Sequence, residues 1–281
     1  MPHPSPALDG PYRVDFRCDD RDPLQRELNR LYDYQDDVPT KVLHRSRLNL
    51  FYLLAQELIE SGTLHRFGTA VDVGCNAGYY SKLISDFGVR DVLGLDVVDE
   101  MIARARSTFE RDGLDRRIRF RLAGVESLPD EPTFDFLLCT EVIEHTEQPL
   151  ETIRKLSGCL APGGIGVISL PNRISLPFLA AWLIRRLRSK PPDPVFEEHL
   201  RYPFYRSMRL FRERGLEIVR TTATNLILDD HVLDAIYGTP YFEGVNRWNF
   251  ELSRRAPLKF CSQFFFMVVR KPAPWRPVSG R

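Results

Sequence analysis

The chain has 281 residues, 43% of them hydrophobic, with 39 basic against 38 acidic side chains and a formal charge of +1. That hydrophobic fraction is ample for a buried core, and the balanced charge argues against a polyanion such as nucleic acid as partner. Five cysteines, at 18, 75, 139, 159 and 261, show no metal-ligand spacing and are odd in number, which argues against a disulfide framework and points to a reduced, cytoplasmic setting.

The first 23 residues are rich in Pro and Asp and read as an arm over the surface; MPHPSPALDGPYR has no apolar leader run. Residues 24–31 and 41–59 then carry helical spacing, as in LNLFYLLAQELIE. Tyr32 and Tyr34 lie on the link between these helices, either as core aromatics or reaching toward a pocket. From residue 69 the pattern alternates. Strands are expected at 69–74, 91–97, 117–123, 134–141 and 163–171, with helices at 78–87, 99–113 and about 149–160. Strands that are apolar nearly throughout, separated by helices, predict a parallel sheet covered on both faces and wound right-handedly in both directions. After 171 the rhythm breaks. Residues 176–190 are apolar first and basic after, with Trp182 and Leu183 beside Arg185, Arg186, Arg188 and Lys190. A helix is expected at 203–214, a sixth strand at 216–227, a partly helical insertion at 229–256 and a closing strand at 260–271.

The stretch VDVGCNAGYYS, 71–81, organises the rest. A strand end, a Gly-rich turn and a helix start place backbone N–H groups and a positive helix end at the carboxyl edge of the sheet. Gly74 and Gly78 remove Cβ atoms where a ligand would approach the backbone. Asn76 stands where the dinucleotide pattern has its middle Gly, and Asn tolerates a positive φ. Asp96 closes the second strand, where a carboxylate can accept both hydroxyls of a ribose; the other reading, a helix cap, falls better on Asp99.

These residues resemble motif I of the class I S-adenosylmethionine-dependent methyltransferases. LAGVESLP at 122–129 resembles that family's adenine-side segment. FDFLLCTEVIEHTEQP at 134–149 resembles the fourth motif of the ubiquinone-biosynthesis branch (methyltransferase type 11), and LAPGGIGVISLPN at 160–172 the motif leading into strand five. The resemblance covers about 70–172. It implies a seven-stranded, mostly parallel Rossmann-like sheet, with the last strand antiparallel between strands five and six. It implies an N-terminal arm and cap over 1–67, a methyltransferase domain over 68–271 with substrate-side insertions at 173–205 and 229–256, and a flexible tail at 272–281.

The resemblance further implies S-adenosyl-L-methionine as cofactor, with S-adenosyl-L-homocysteine as product. Asp72, Gly74, Cys75, Asn76, Gly78, Asp96, Val97, Met101, Val125, Glu126, Thr140 and Glu141 fall at cofactor positions, and Glu144 and Tyr202 toward the acceptor. Methyl transfer from a sulfonium is a matter of alignment plus removal of a proton from the nucleophile. His145 and His199 are the candidate bases, since an imidazole titrates at about 6.5. Glu144 with His145 makes only two donors for a divalent ion, so no metal is expected. The expected activity is methylation of oxygen or nitrogen on a small molecule. A polyprenyl quinone-like acceptor met at a membrane surface through 176–190, and a cofactor-binding scaffold without turnover, are the alternatives. An RNA substrate fits the balanced charge worst.

Overall fold

A computed structural model describes residues 12–19, 21–32, 37–63, 68–111, 113, 116–188, 203–227 and 230–273. Seven strands form one sheet in the order β3-β2-β1-β4-β5-β7-β6: β1 Thr69–Val73, β2 Asp91–Asp96, β3 Ile118–Leu122, β4 Phe134–Thr140, β5 Leu160–Pro171, β6 Glu217–Thr224 and β7 Phe264–Arg270. The first five pair in parallel, and β7 is antiparallel to both β5 and β6. β5 begins three residues earlier than its pattern suggested, because Leu160 pairs with Phe134 ahead of a bulge.

The alternation of the strands sorts the core into two layers. Ala70, Phe136, Leu138, Val167 and Phe266 face helices α1 Pro23–Tyr32, α2 Val38–Glu60, α3 Tyr79–Asp86 and α4 Asp99–Arg111. Val71, Val73, Leu137, Cys139 and Met267 face α5 Pro149–Cys159 and α7 Phe204–Glu213; α6, Leu176–Leu187, lies between these two in the chain. The insertion after β6 forms α8 Asp230–Ile236 and α9 Phe242–Ser253. These pack on α2 and β6, and none of their described residues lines the large cavity at the carboxyl edge. Nor do the described residues of 173–205 line it. The tail beyond 273 lies outside the described residues.

The N-terminal arm is the main correction to the sequence reading. Tyr12, Phe16 and Cys18 are buried. Tyr12 donates its hydroxyl to Asn49 Oδ1 at 2.6 Å, Asn246 Nδ2 donates to the Phe16 carbonyl at 2.9 Å, and Tyr237 donates its hydroxyl to the Cys18 carbonyl at 3.0 Å. The Phe16 ring meets that of Phe250 at 5.2 Å. In the sequence Tyr12, Val14, Phe16 and Cys18 alternate with Arg13, Asp15 and Arg17, and the four are buried or half-buried together with Asp15. This strap ties α2 to α8 and α9. Truncating Phe16 to Ala is expected to lower unfolding stability by about 3 kcal/mol in urea titrations, the scale of a buried Phe; a surface arm would lose under about 0.5 kcal/mol.

Candidate functional site

A cavity of about 840 Å³ opens where the carboxyl ends of β1, β2 and β4 meet. Gly74, Cys75, Asn76, Asp96, Val97, Val125, Glu126, Thr140, Glu141 and His145 all line it, so most of the residues singled out in the sequence converge there. Asp72, Gly78, Met101 and Glu144 do not. His199 and Tyr202, like Tyr34, lie outside the described residues.

The turn after β1 is built differently from an anion-binding loop. Gly74 and Cys75 donate their N–H groups to the Leu95 carbonyl at 2.8 and 2.9 Å. Asn76 N–H goes to Asp96 Oδ2 at 2.8 Å, Ala77 N–H to Asn76 Oδ1 at 2.7 Å and Gly78 N–H to the Cys75 carbonyl at 2.9 Å. Five consecutive donors are thus taken up inside the protein. The expectation of free N–H groups at this turn is corrected, and with it any cradle for a pyrophosphate. The glycines also have protein reasons. A Cβ on Gly74 would stand 2.2 Å from Val142 Cγ2, and one on Gly78 would stand 2.6 Å from Phe120 Cζ. Gly74, Asn76 and Gly78 all have positive φ, 73°, 50° and 88°.

Asp96 carries the recognition potential of this edge. Its Oδ2 accepts from Asn76 and its Oδ1 from Val98 N–H at 2.9 Å. A carboxylate offers about four acceptor sites, and Asp96 lines the cavity, so it has capacity left for a vicinal diol. Asp99 is the first residue of α4 rather than its cap. Val97, which is 72% exposed, and Val125 offer apolar surface beside that carboxylate. Glu126 holds the adjoining loop by accepting from Gly124 N–H at 3.0 Å.

Asp72 lies under the turn instead of in the cavity. It is 1% exposed and accepts from Ser81 Oγ at 2.6 Å, pinning α3 to β1. Burial pushes its carboxyl up to about 7. Glu144 is also buried, at 7% exposure, beside Glu141. Burial raises both carboxyls, Glu144 further because Glu141 adjoins it, while Arg47 pulls both back. Glu141 itself has a φ of 53°, a strained conformation for a side chain of its size. Ser169 clamps it: Ser169 Oγ donates to Glu141 Oε1 at 2.6 Å, and Glu141 N–H donates to the Ser169 carbonyl at 3.3 Å. Burial likewise pushes the Cys75 and Cys139 thiols up, which makes both poor nucleophiles.

Tyr32, at the end of α1, lines the cavity wall, the pocket-facing one of its two readings. His44 and Arg47 of α2 and Tyr80 of α3 line it too, and these three the sequence reading missed. The Tyr32 and His44 rings lie 4.5 Å apart. Burial drives His44 well below its ordinary titration range, so it stays neutral. Arg47 rests 4.8 Å over the Phe264 ring. His44 and Arg47 are three residues apart on α2, a spacing that puts both heads on one face of the helix. Among the described residues no cluster of three or more His, Cys, Asp or Glu side chains could hold a metal ion.

Against known proteins, residues 71–168 match the family model described as a methyltransferase domain. Over those residues the chain is similar to methyltransferase domains, and its sheet has the fold of class I methyltransferases. It is 36% identical over 104 residues to the mitochondrial ubiquinone biosynthesis O-methyltransferase of Arabidopsis thaliana, covering 37% of this chain and 32% of that one. It is 30% identical over 156 residues to the ubiquinone biosynthesis O-methyltransferase of Xanthomonas campestris pv. campestris, covering 54% of this chain and 61% of that one. The chain therefore spans less than two thirds of these relatives' length. In fold it is similar to a Galdieria sulphuraria protein whose assignment as a sarcosine dimethylglycine methyltransferase is itself provisional. That likeness has a TM-score of 0.60 at 19% identity, covering 91% of this chain and 99% of that one. It is also similar to the [4+2]-cyclase SpnF, with a TM-score of 0.56 at 19% identity, covering 82% and 81%. The seven-stranded, mostly parallel sheet is the one expected of the family.

The ionisation of Asp72 has a checkable sign. An acid whose folded pKa of about 7 exceeds its ordinary 3.8 keeps its proton in the native state while the unfolded chain has lost it. Stability then falls as pH rises from about 4 to about 7. Asp72→Asn is expected to flatten the fall in unfolding free energy across that window, read from urea titrations, by an amount on the order of a few kcal/mol; an unchanged slope would place the titration elsewhere.

Proposed function

We propose that this protein transfers the methyl group of S-adenosyl-L-methionine to an oxygen or nitrogen of a small-molecule acceptor. The observation that carries this reading is Asp96, a carboxylate that lines the cavity with Val97 and Val125 and accepts two hydrogen bonds of about four it can take, beside a turn whose N–H groups from Gly74 to Gly78 are all engaged. That donor set suits an uncharged ribose and base attached to a cation, and suits a dinucleotide poorly. The O-methyltransferase names of the relatives support the same reading.

In this scheme Asp96 accepts the ribose hydroxyls, and Val97 and Val125 hold the adenine edge near Glu126. Thr140 and Glu141 flank the reacting end with Gly74, Cys75 and Asn76, and Arg47 is the guanidinium available to the methionyl carboxylate. When bound, the cofactor supplies a methyl group on a sulfonium, a good leaving group. Asp72 and Gly78 act from beneath, keeping strand, turn and helix in place. His145 lies on the cavity wall and is the candidate to take the acceptor's proton. Tyr32, His44 and Tyr80 close that side against water.

A lipophilic acceptor is favoured by one further observation. On α6, Leu179, Trp182, Leu183 and Leu187 are exposed beside the cations Arg185, Arg186 and Arg188, with no acidic residue in the helix. That composition suits an anionic bilayer surface. No helix among the described residues is long and apolar enough to cross a membrane.

Purified protein is expected to show a thermal shift with S-adenosyl-L-methionine, and Asp96→Ala to weaken binding by about thirtyfold, or about 2 kcal/mol. An unchanged affinity would remove the ribose assignment. Production of S-adenosylhomocysteine with any acceptor separates an enzyme from a binding scaffold. Co-sedimentation with phosphatidylglycerol vesicles that falls when Arg185, Arg186 and Arg188 become Gln is the result expected for a lipophilic acceptor; vesicle binding that ignores those changes speaks against it.

A further inference from the structure

A second cavity, of about 270 Å³, lies between α1, α3 and α4. Its walls are aromatic and aliphatic: Tyr12, Tyr79 and Phe109 with Leu24, Leu31 and Leu83. The polar groups at it are already engaged. Tyr12 gives its hydroxyl to Asn49 at 2.6 Å. Lys82 pairs with Asp86 at 2.6 Å, and Arg111 reaches Glu27 at 3.4 Å, with Glu27 bound also by Arg30 at 2.6 Å. Each of these charges has its counter-charge on the protein. A charged ligand would have to break one of these pairs, whereas a neutral one breaks none. The size discriminates further, since an apolar cavity of about 150 Å³ takes up benzene. The larger volume here suits two fused rings.

The cavity is not isolated from the cleft. Tyr79 is both one of its walls and the first helical residue after the Gly-rich turn. Its ring lies 5.8 Å from that of Tyr32, which lines the large cavity and meets His44. We propose that this cavity is an accessory site for a small uncharged aromatic molecule, and that its occupancy is felt at the cleft through the Tyr79–Tyr32 contact. The site stands independently of the cofactor assignment, because none of its walls except Tyr79 adjoins the turn.

Indole serves as the probe, titrated into the full-length protein and followed by amide chemical shifts. The expected result is saturable shifts at Leu83 and Phe109 that extend across Tyr79 to Asn76. Leu24→Trp, which fills the space, is expected to weaken indole at least tenfold; Leu24→Phe, a smaller filler, serves the same purpose if the Trp variant does not fold. No saturable shifts, or shifts that survive both Leu24 changes, would overturn the site. Shifts confined to Leu83 and Phe109 would overturn its link to the cleft.

Discussion

The carboxylate of Asp96 is the joint on which the carboxyl edge depends. One oxygen holds the Asn76 N–H of the turn after β1, and the other holds the Val98 N–H that leads into α4. Two loops from neighbouring strands are thus fixed to one side chain. The Leu95 carbonyl, one residue earlier, takes two more donors from the same turn. The positive φ values at Gly74, Asn76 and Gly78 are sustained because the surrounding bonds leave the backbone little choice. Recognition and architecture therefore reside in one group, and a change at position 96 disturbs both.

The cleft's electrostatics rest on acids that the fold keeps away from water. Asp72, Glu141 and Glu144 are all raised by burial, and Arg47 is the nearby cation acting on the last two. Buried carboxyls side by side do not all ionise at neutral pH. Of the three only Glu141 lines the cleft, and Asp72 and Glu144 are buried away from it. Ser169 holds Glu141 in a backbone conformation that a residue with a Cβ ordinarily avoids, which fixes its carboxyl at the rim of β4. Neutral His44 and the rings of Tyr32 and Tyr80 add apolar surface on the α2 side.

The sheet was legible because its strands are almost continuously apolar and its turns carry Gly, Pro and Asn. The converging edge was legible because Asp96, Val125, Thr140 and His145 each follow a strand end, where such folds expose side chains. What escaped was non-local. Nothing in LHRSRL states that His44 and Arg47 will face a turn some thirty residues later, since that depends on how α2 crosses the sheet. Asp72 was visible as a residue type, but its burial depends on Ser81 swinging back to it. The period of two from Tyr12 to Cys18 was masked by the polar residues between, and its partners sit at the far end of the chain.

That strap bears on the order in which the protein can be completed on the ribosome. The carbonyl of Phe16 waits for Asn246, 230 residues downstream, and that of Cys18 for Tyr237, 219 residues downstream. This segment leaves the exit tunnel long before Tyr237 and Asn246 do. Until then Phe16 and Cys18 lack these partners and are open to other nascent chains. The Pro, Asp and Arg residues around them keep that waiting stretch soluble, giving the polar composition of the N-terminus a purpose during biosynthesis that the finished fold conceals.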